Sequence, residues 1–180
     1  MKFEIAKFFN QLGRGTFIDS LSRLISNISF LAFFWIAIAV LIFFLDNENG
    51  LMICSTLAIS FGMHLVFSAG LIKGFFGRYF KKIRPYLAYS MEIFPLGKKE
   101  IDSSFPSGHM SANTSIASVI AYFYPSTVLA IVVLTLFLGY SRIHNGMHYL
   151  SDVIFGIFLG SIYGLFSIYL INLYYHYVFS

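Results

Sequence analysis

Four long apolar runs leave this chain few ways to fold. They are ISFLAFFWIAIAVLIFFL (28–45), LMICSTLAISFGMHLVFSAGLI (51–72), STVLAIVVLTLFLGY (126–140) and VIFGIFLGSIYGLFSIYLINLYYHYVF (153–179). A helix needs about 20 mostly apolar residues to cross the roughly 30 Å of hydrocarbon in a bilayer. Inside that layer every backbone N–H and C=O must be bonded within the protein, which a helix does by itself. A fifth run, MSANTSIASVIAYFY (110–124), is shorter and rich in Ser and Thr. It is expected to span from inside the bundle, where its hydroxyls bond neighbouring helices. The expected fold is an all-α membrane protein, a bundle of about five transmembrane helices. Composition agrees, with 58% of the 180 residues hydrophobic and 11% charged and a mean hydropathy of +0.77.

Residues 1–27 follow a different pattern. Ile5, Phe8, Phe9 and Leu12 share one helical face with Lys7, Asn10 and Gln11 opposite; beyond Gly13 and Gly15 the pattern resumes at Phe17, Leu21, Leu24 and Ile25. Thr16 and Asp19 resemble a capping box, with Asp in place of the usual Glu or Gln. This segment is expected to lie in the membrane interface, the alternative being a sixth, polar span. Its charges are spread throughout, so no cleavable signal peptide is expected. Residues 28–180 are then a single transmembrane domain. In the last run Gly156, Gly160 and Gly164 recur every fourth residue, a face that admits a neighbouring helix closely. The single cysteine, Cys54, allows no internal disulfide and reads as packing.

Three polar clusters interrupt the apolar runs. The first is basic: Lys73, Arg78, Lys81, Lys82 and Arg84 before Pro85. Lys73 and Arg84 are eleven residues apart, close to three full turns, so both face one way if the second run continues as a helix. Pro85 biases Arg84 out of the helix. The second is PSGH, Pro106 to His109, where Pro suits a helix start and the free N–H groups of the first turn make an anion site beside His109. The third is SRIHNGMHYLSD, 141–152. If the last helix begins near Met147, His148 and Asp152 lie one turn apart and the carboxylate holds one imidazole N–H. An oriented neutral His is a nucleophile or a general base. Gly146 permits the turn that returns Arg142 toward His148. His144 matches no role and reads as an interfacial side chain, and His64, mid-span, as hydrogen-bonded packing.

Lys, two Arg, a helix N-terminus, two His and an Asp match what phosphoryl transfer needs: cations around the phosphate oxygens, a nucleophile and an acid for the leaving group. No Cys or carboxylate set has metal-ligand spacing, so neither metal nor other cofactor is expected.

Lys73 to Pro85, Pro106 to His109 and Ser141 to Asp152 resemble the three signature motifs of the type 2 phosphatidic acid phosphatase (PAP2) superfamily of membrane lipid phosphatases. The resemblance implies that His148 attacks phosphorus to give a phosphohistidine, that Asp152 orients it, and that His109 protonates the leaving oxygen. It implies a phosphate cradle of Lys73, Arg84, Ser107, the Gly108 amide and Arg142. In the first motif the family's Lys position is Gly77 here. Lys73 fills the role from one turn further back, or Arg78, Lys81 or Lys82 substitutes; helical phase favours Lys73.

Two spans separate the polar stretch 73–109 from the loop 141–150, so both clusters meet at one membrane face, with the DNEN loop (46–49) and the Tyr124–Pro125 turn at the other. All 12 Lys and Arg fall on the site's side in this topology. The positive-inside rule would make that side cytoplasmic, whereas the family resemblance points to the extracytoplasmic face of a plasma membrane. The net charge of +4 then fits anionic lipid rather than nucleic acid. A lipid phosphate or diphosphate is the expected substrate: undecaprenyl diphosphate, phosphatidylglycerol phosphate, phosphatidate or a lipid A phosphate. A lipid phosphotransferase using the same residues, and a non-catalytic protein that holds lipid headgroups, are the alternatives.

Overall fold

The computed structural model describes residues 2–179, the last by its backbone alone. Two short helices, α1 (Lys2–Gln11) and α2 (Phe17–Ile25), precede the bundle. Gly13 and Gly15, with φ of 73° and 77°, make the turn between them in left-handed conformations that suit glycine. The Thr16 hydroxyl caps α2 by accepting from the Ile18 N–H at 3.2 Å. Asp19 reaches back to the N–H of Gly15 at 3.0 Å, one residue short of the Thr16 N–H that a capping box would use.

The long helices follow. Asn27 caps α3 (Ile28–Leu45), its side-chain oxygen accepting from Ser29 and Phe30. The helix α4 (Gly50–Tyr79) runs on past the expected apolar segment, and across His64–Phe76 it widens to π-helical winding. After it come α5 (Pro85–Ala88), α6 (Gly108–Phe123), a 3₁₀ turn at Pro125–Thr127, α7 (Val128–His144) and α8 (Leu150–Phe179). Among the described residues there is no strand.

Four helical stretches, Ile28–Leu45, Gly50–Tyr79, Pro125–His144 and Leu150–Val178, are long and apolar enough to cross a membrane. The fifth expected span, α6, has 16 residues, about 24 Å of helix, and lies packed against α8, α4 and α7. Several of its polar groups bond neighbouring helices, as a low-dielectric surrounding favours. Trp35 donates to the Asn113 side chain at 3.3 Å, Asn113 donates to Thr135 at 3.2 Å, and Ser60 donates to the Ser115 carbonyl at 3.0 Å. Around these lies the core of Leu31, Trp35, Ile53, Leu57, Met110, Val119, Leu138 and Val153. Phe33, Phe44, Leu129, Leu136, Phe158 and Leu165 face outward, as lipid-facing side chains do.

The glycine face of α8 seats α6. A Cβ on Gly156, Gly160 or Gly164 would come within 2.8, 2.5 or 2.6 Å of α6 atoms, so the two backbones approach more closely than side chains allow. The Asp46 carboxylate, at the far end, accepts from the Tyr124 hydroxyl at 2.6 Å, which joins the DNEN loop to the Tyr124 turn as the topology requires.

The amphipathic helix α1 docks on the bundle through Ala6 and Asn10. Asn10 is fully buried. It donates to the carbonyls of Phe94 and His144 at 2.9 and 2.6 Å and accepts from the Phe94 N–H at 3.0 Å. Phe8 and Leu12 remain exposed. His144 is buried too, with one ring nitrogen 2.9 Å from the Phe9 carbonyl and the other 2.8 Å from Asp19. It is a structural tie between α7 and the N-terminal helices, not the interfacial side chain expected from its lack of a motif role. His64 bonds Ser111 at 3.0 Å, and Cys54 donates to the Ala39 carbonyl at 3.4 Å.

Candidate active site

Five separate pieces of chain bring the polar residues together at the end of the bundle that carries α1 and α2. Lys73 comes from the widened part of α4. Past Tyr79 the chain leaves the helix, and Arg84 stands in extended conformation (φ −66°, ψ 148°) before Pro85 opens α5. The proline effect is as expected, but the helix does not continue to Arg84, so Lys73 and Arg84 meet through tertiary folding and not through a shared helix face. Ser107 is the N-cap of α6 with Gly108 and His109 in its first turn. Arg142 ends α7, and Asp152 lies in the first turn of α8.

His148 is 1% exposed and sits before α8, which starts at Leu150 and not at Met147. Gly146, at φ 71°, makes the expected turn: the N–H groups of Met147 and His148 donate to the Arg142 carbonyl at 3.2 and 3.3 Å. The His148 Nδ1 is 2.7 Å from the Ser104 carbonyl. A carbonyl only accepts, so Nδ1 carries the proton and Nε2 presents its lone pair. That lone pair faces two guanidinium groups, with Arg142 Nη2 at 3.3 Å and Arg84 Nη1 at 3.4 Å. Burial first, and then the charges of Arg142 and Arg84, push the His148 imidazole well below its ordinary pKa and keep it neutral.

The Asp152 carboxylate does not bond His148 directly. Its Oδ2 is 4.0 Å from Nδ1 and accepts from the Tyr149 N–H at 3.0 Å, while Oδ1 pairs with Lys82. Because His148 stands outside α8, the one-turn spacing that would align the two does not apply. Asp152 instead fixes the backbone around His148: its own carbonyl accepts from the Ser107 N–H at 3.2 Å, which ties the start of α8 to the start of α6.

Several buried polar atoms of the cluster residues lack a hydrogen-bond partner: Ser107 Oγ, Arg142 Nε, His109 Nε2 and Ser104 Oγ. The backbone of Ser26 lies within bonding reach of the His109 ring, and the charges of Arg142, Lys73 and Arg84 are close enough to act on it. Nothing lies within 4 Å of where a Gly108 Cβ would stand, so the amide end of α6 is open to approach. Buried polar atoms without partners are costly, which makes this cluster a candidate for holding a ligand.

Sequence reasoning missed the acidic residues of the loop before PSGH. Arg84 Nη2 meets Glu100 Oε2 and Asp102 Oδ1, each at 2.6 Å; Arg142 meets Glu100 at 3.2 Å, and Lys73 meets Asp102 at 2.8 Å. Burial alone would raise the Asp102 carboxyl, but Lys73 and Arg84 beside it hold it below the ordinary carboxylate value. The available signal was two carboxylates placed just before SSFPSGH in an otherwise basic stretch. Lys82, which the sequence left as a substitute for Lys73, pairs with Asp152 and donates to Ser151 at 3.1 Å.

The family model of the PAP2 superfamily matches residues 50–175. The chain belongs to the PAP2 superfamily. Among curated relatives, a protein named lipid A 1-phosphatase from Rhizobium johnstonii is 31% identical over 106 residues, covering 56% of this chain and 43% of that protein. The bacitracin transport permease protein BcrC of Bacillus licheniformis is 43% identical over 67 residues, 37% of this chain and 33% of its own length. This PAP2 chain thus spans less than half the length of the curated relatives it matches. Two solved structures share its fold. A transmembrane PAP2-type phosphatidylglycerolphosphate phosphatase from Bacillus subtilis gives a TM-score of 0.67 at 22% identity, over 94% of this chain and 83% of that one. LpxE of Aquifex aeolicus gives 0.70 at 23% identity, over 92% and 93%. The fold is that of an integral membrane PAP2 protein.

Proposed function

We propose that this protein hydrolyses a phosphomonoester or diphosphate on a membrane lipid, with His148 as nucleophile and no metal or cofactor. The observation that supports this best is the His148 Nε2 lone pair, held neutral and in place by the Ser104 carbonyl and flanked at 3.3 and 3.4 Å by two guanidinium groups. Nε2 attacks phosphorus in line, and the P–O bond to the lipid breaks as the new N–P bond forms. His109 gives its proton to the leaving oxygen. Water then attacks the phosphohistidine and gives a proton back to His109, the N–P bond breaks with its electron pair returning to Nε2, and inorganic phosphate leaves. Lys73, Arg84, Ser107, the Gly108 amide and Arg142 hold the equatorial oxygens, and Asp152 acts as a positioning residue by fixing the turn that carries His148. Charge developing in a buried, preorganised set of donors is stabilised far more than in water.

The lipid presents its phosphate at the bilayer surface while its tails stay among the helices. The candidates are undecaprenyl diphosphate, phosphatidylglycerol phosphate, phosphatidate and lipid A phosphate, and the relatives named lipid A 1-phosphatase support the last. The N-terminal helices lie in the interface with Phe8, Leu12 and Phe17 toward lipid, and the site faces the extracytoplasmic side of a plasma membrane. The test is phosphate release from a panel of these lipids by detergent-solubilised protein with EDTA present. Wild type is expected to release phosphate and His148→Ala none. Equal release by both, or no release from any lipid, would overturn the hydrolase reading.

A further inference from the structure

The cations of the cradle are engaged by carboxylates of the chain itself. Lys73, Arg84 and Arg142 carry three positive charges, and Glu100 and Asp102 meet all three with two negative ones. A dianionic phosphate brings the same charge and the same kind of oxygen. The carboxylates and a bound phosphate therefore use the same donors and exclude each other. Arg84 is fully buried, so its charge must always be compensated by one or the other.

Each carboxylate also has somewhere to go. Glu100 lines a cavity of about 400 Å³ that opens onto His109 and Arg142 and is lined as well by Arg23 and Lys98. Asp102 lines one of about 510 Å³ shared with Lys73 and, beyond it in the chain, Arg78 and Lys81. Glu100 and Asp102 belong to a stretch without helix between α5 and α6, and the Asp102 side chain is 52% exposed. A carboxylate displaced from the cations by phosphate has open cavity beside it, and two further basic residues line each cavity.

We propose that Glu100 and Asp102 are an internal competitor for the phosphate cradle. They give way to the lipid phosphate when it binds and return to the same cations to expel inorganic phosphate after hydrolysis. This rests on the reading of Lys73, Arg84 and Arg142 as the cradle. Product release limits many enzymes, and a tethered pair of competing anions lowers product affinity without touching the reacting atoms.

The probe is inorganic phosphate, titrated by calorimetry into the full chain in detergent. The double variant Glu100→Gln/Asp102→Asn is expected to bind phosphate at least tenfold more tightly than wild type, and phosphate is expected to inhibit lipid hydrolysis correspondingly more. Equal or weaker binding by a folded variant overturns the proposal while leaving the cradle intact. If neither wild type nor variant binds phosphate, the cradle reading fails and takes the proposal with it. A chain that keeps Glu100 and Asp102 gives a second measurement that does not depend on the double variant's stability. A fluorophore on Lys99→Cys, in a Cys54→Ser background, is expected to change its emission with the same midpoint as calorimetric phosphate binding. Phosphate binding with no change at residue 99 overturns the displacement.

Discussion

Gly156→Ala tests how strictly the contact between α6 and α8 sets the site. A methyl at position 156 would lie 2.8 Å from the Ser107 carbonyl oxygen and 2.8 Å from Met110 Cβ, where ordinary contact begins at 3.4 Å. One obstacle is backbone and the other is the root of a side chain, so neither swings aside and α8 must retreat by about 0.6 Å, the difference between the two distances. One turn earlier, the Ser107 N–H to Asp152 carbonyl bond at 3.2 Å would open beyond hydrogen-bonding length. Misplacing catalytic groups by about 1 Å costs roughly 100-fold, so a shift of about 0.6 Å is expected to lower kcat/KM about tenfold, or ~1.4 kcal/mol. Overpacking is expected to cost about 1–3 kcal/mol of stability. Phosphate release from the lipid of the panel that wild type hydrolyses fastest and the melting temperature in detergent measure the two effects. Gly62→Ala is the control: it lies inside α4 with nothing within 4 Å of the new methyl, and neither quantity should fall. If Gly156→Ala hydrolyses within twofold of wild type and melts at the same temperature, the close contact does not set the site.

Three further expectations concern single side chains. His109→Ala should lose about 10- to 100-fold more activity on a lipid phosphate than on an activated aryl phosphate, because only the poor leaving group needs a proton; equal losses would remove the general-acid role. Lys73→Ala should weaken inorganic phosphate binding more than Lys82→Ala, since Lys73 meets Asp102 in the cradle and Lys82 meets Asp152 behind it, and the reverse order in a calorimetric titration would reassign the first motif. Burial alone would raise the Asp19 carboxyl, but its bond from His144 holds it below the ordinary value near pH 4. It therefore stabilises the fold above that value and ceases to as pH falls through the lowered one. Asp19→Asn should lower the melting temperature at pH 7 and flatten its decline between about pH 5 and pH 3; an unchanged acid limb would count against the His144 tie.

Much of the site was readable because the chemistry comes in short contiguous pieces. PSGH predicts a helix start, and the structure has Ser107 at the N-cap and Gly108 at the first helical position. RIHNGMH predicts a tight turn, and Gly146 makes it in the left-handed region. Spacing arguments failed where they assumed that a helix continues. Lys73 and Arg84 do not share a helix because α4 ends at Tyr79, and Asp152 misses the His148 ring because α8 begins two residues after His148. His144 and Asn10 looked like surface groups in periodicity alone, yet both are buried where α1 and α2 dock onto the site's end of the bundle.

By itself the sequence determined the class of fold, since runs this apolar can satisfy their backbone in a bilayer only as helices, and it determined which residue types gather at one membrane face. The tertiary structure decided which of them touch. That the Ser104 carbonyl holds His148, that Lys82 takes Asp152, and that Glu100 and Asp102 stand in the cradle depend on the path of a stretch of chain with no periodic pattern. Such contacts form between residues up to 70 positions apart, and hydropathy and helical spacing carry no information at that range.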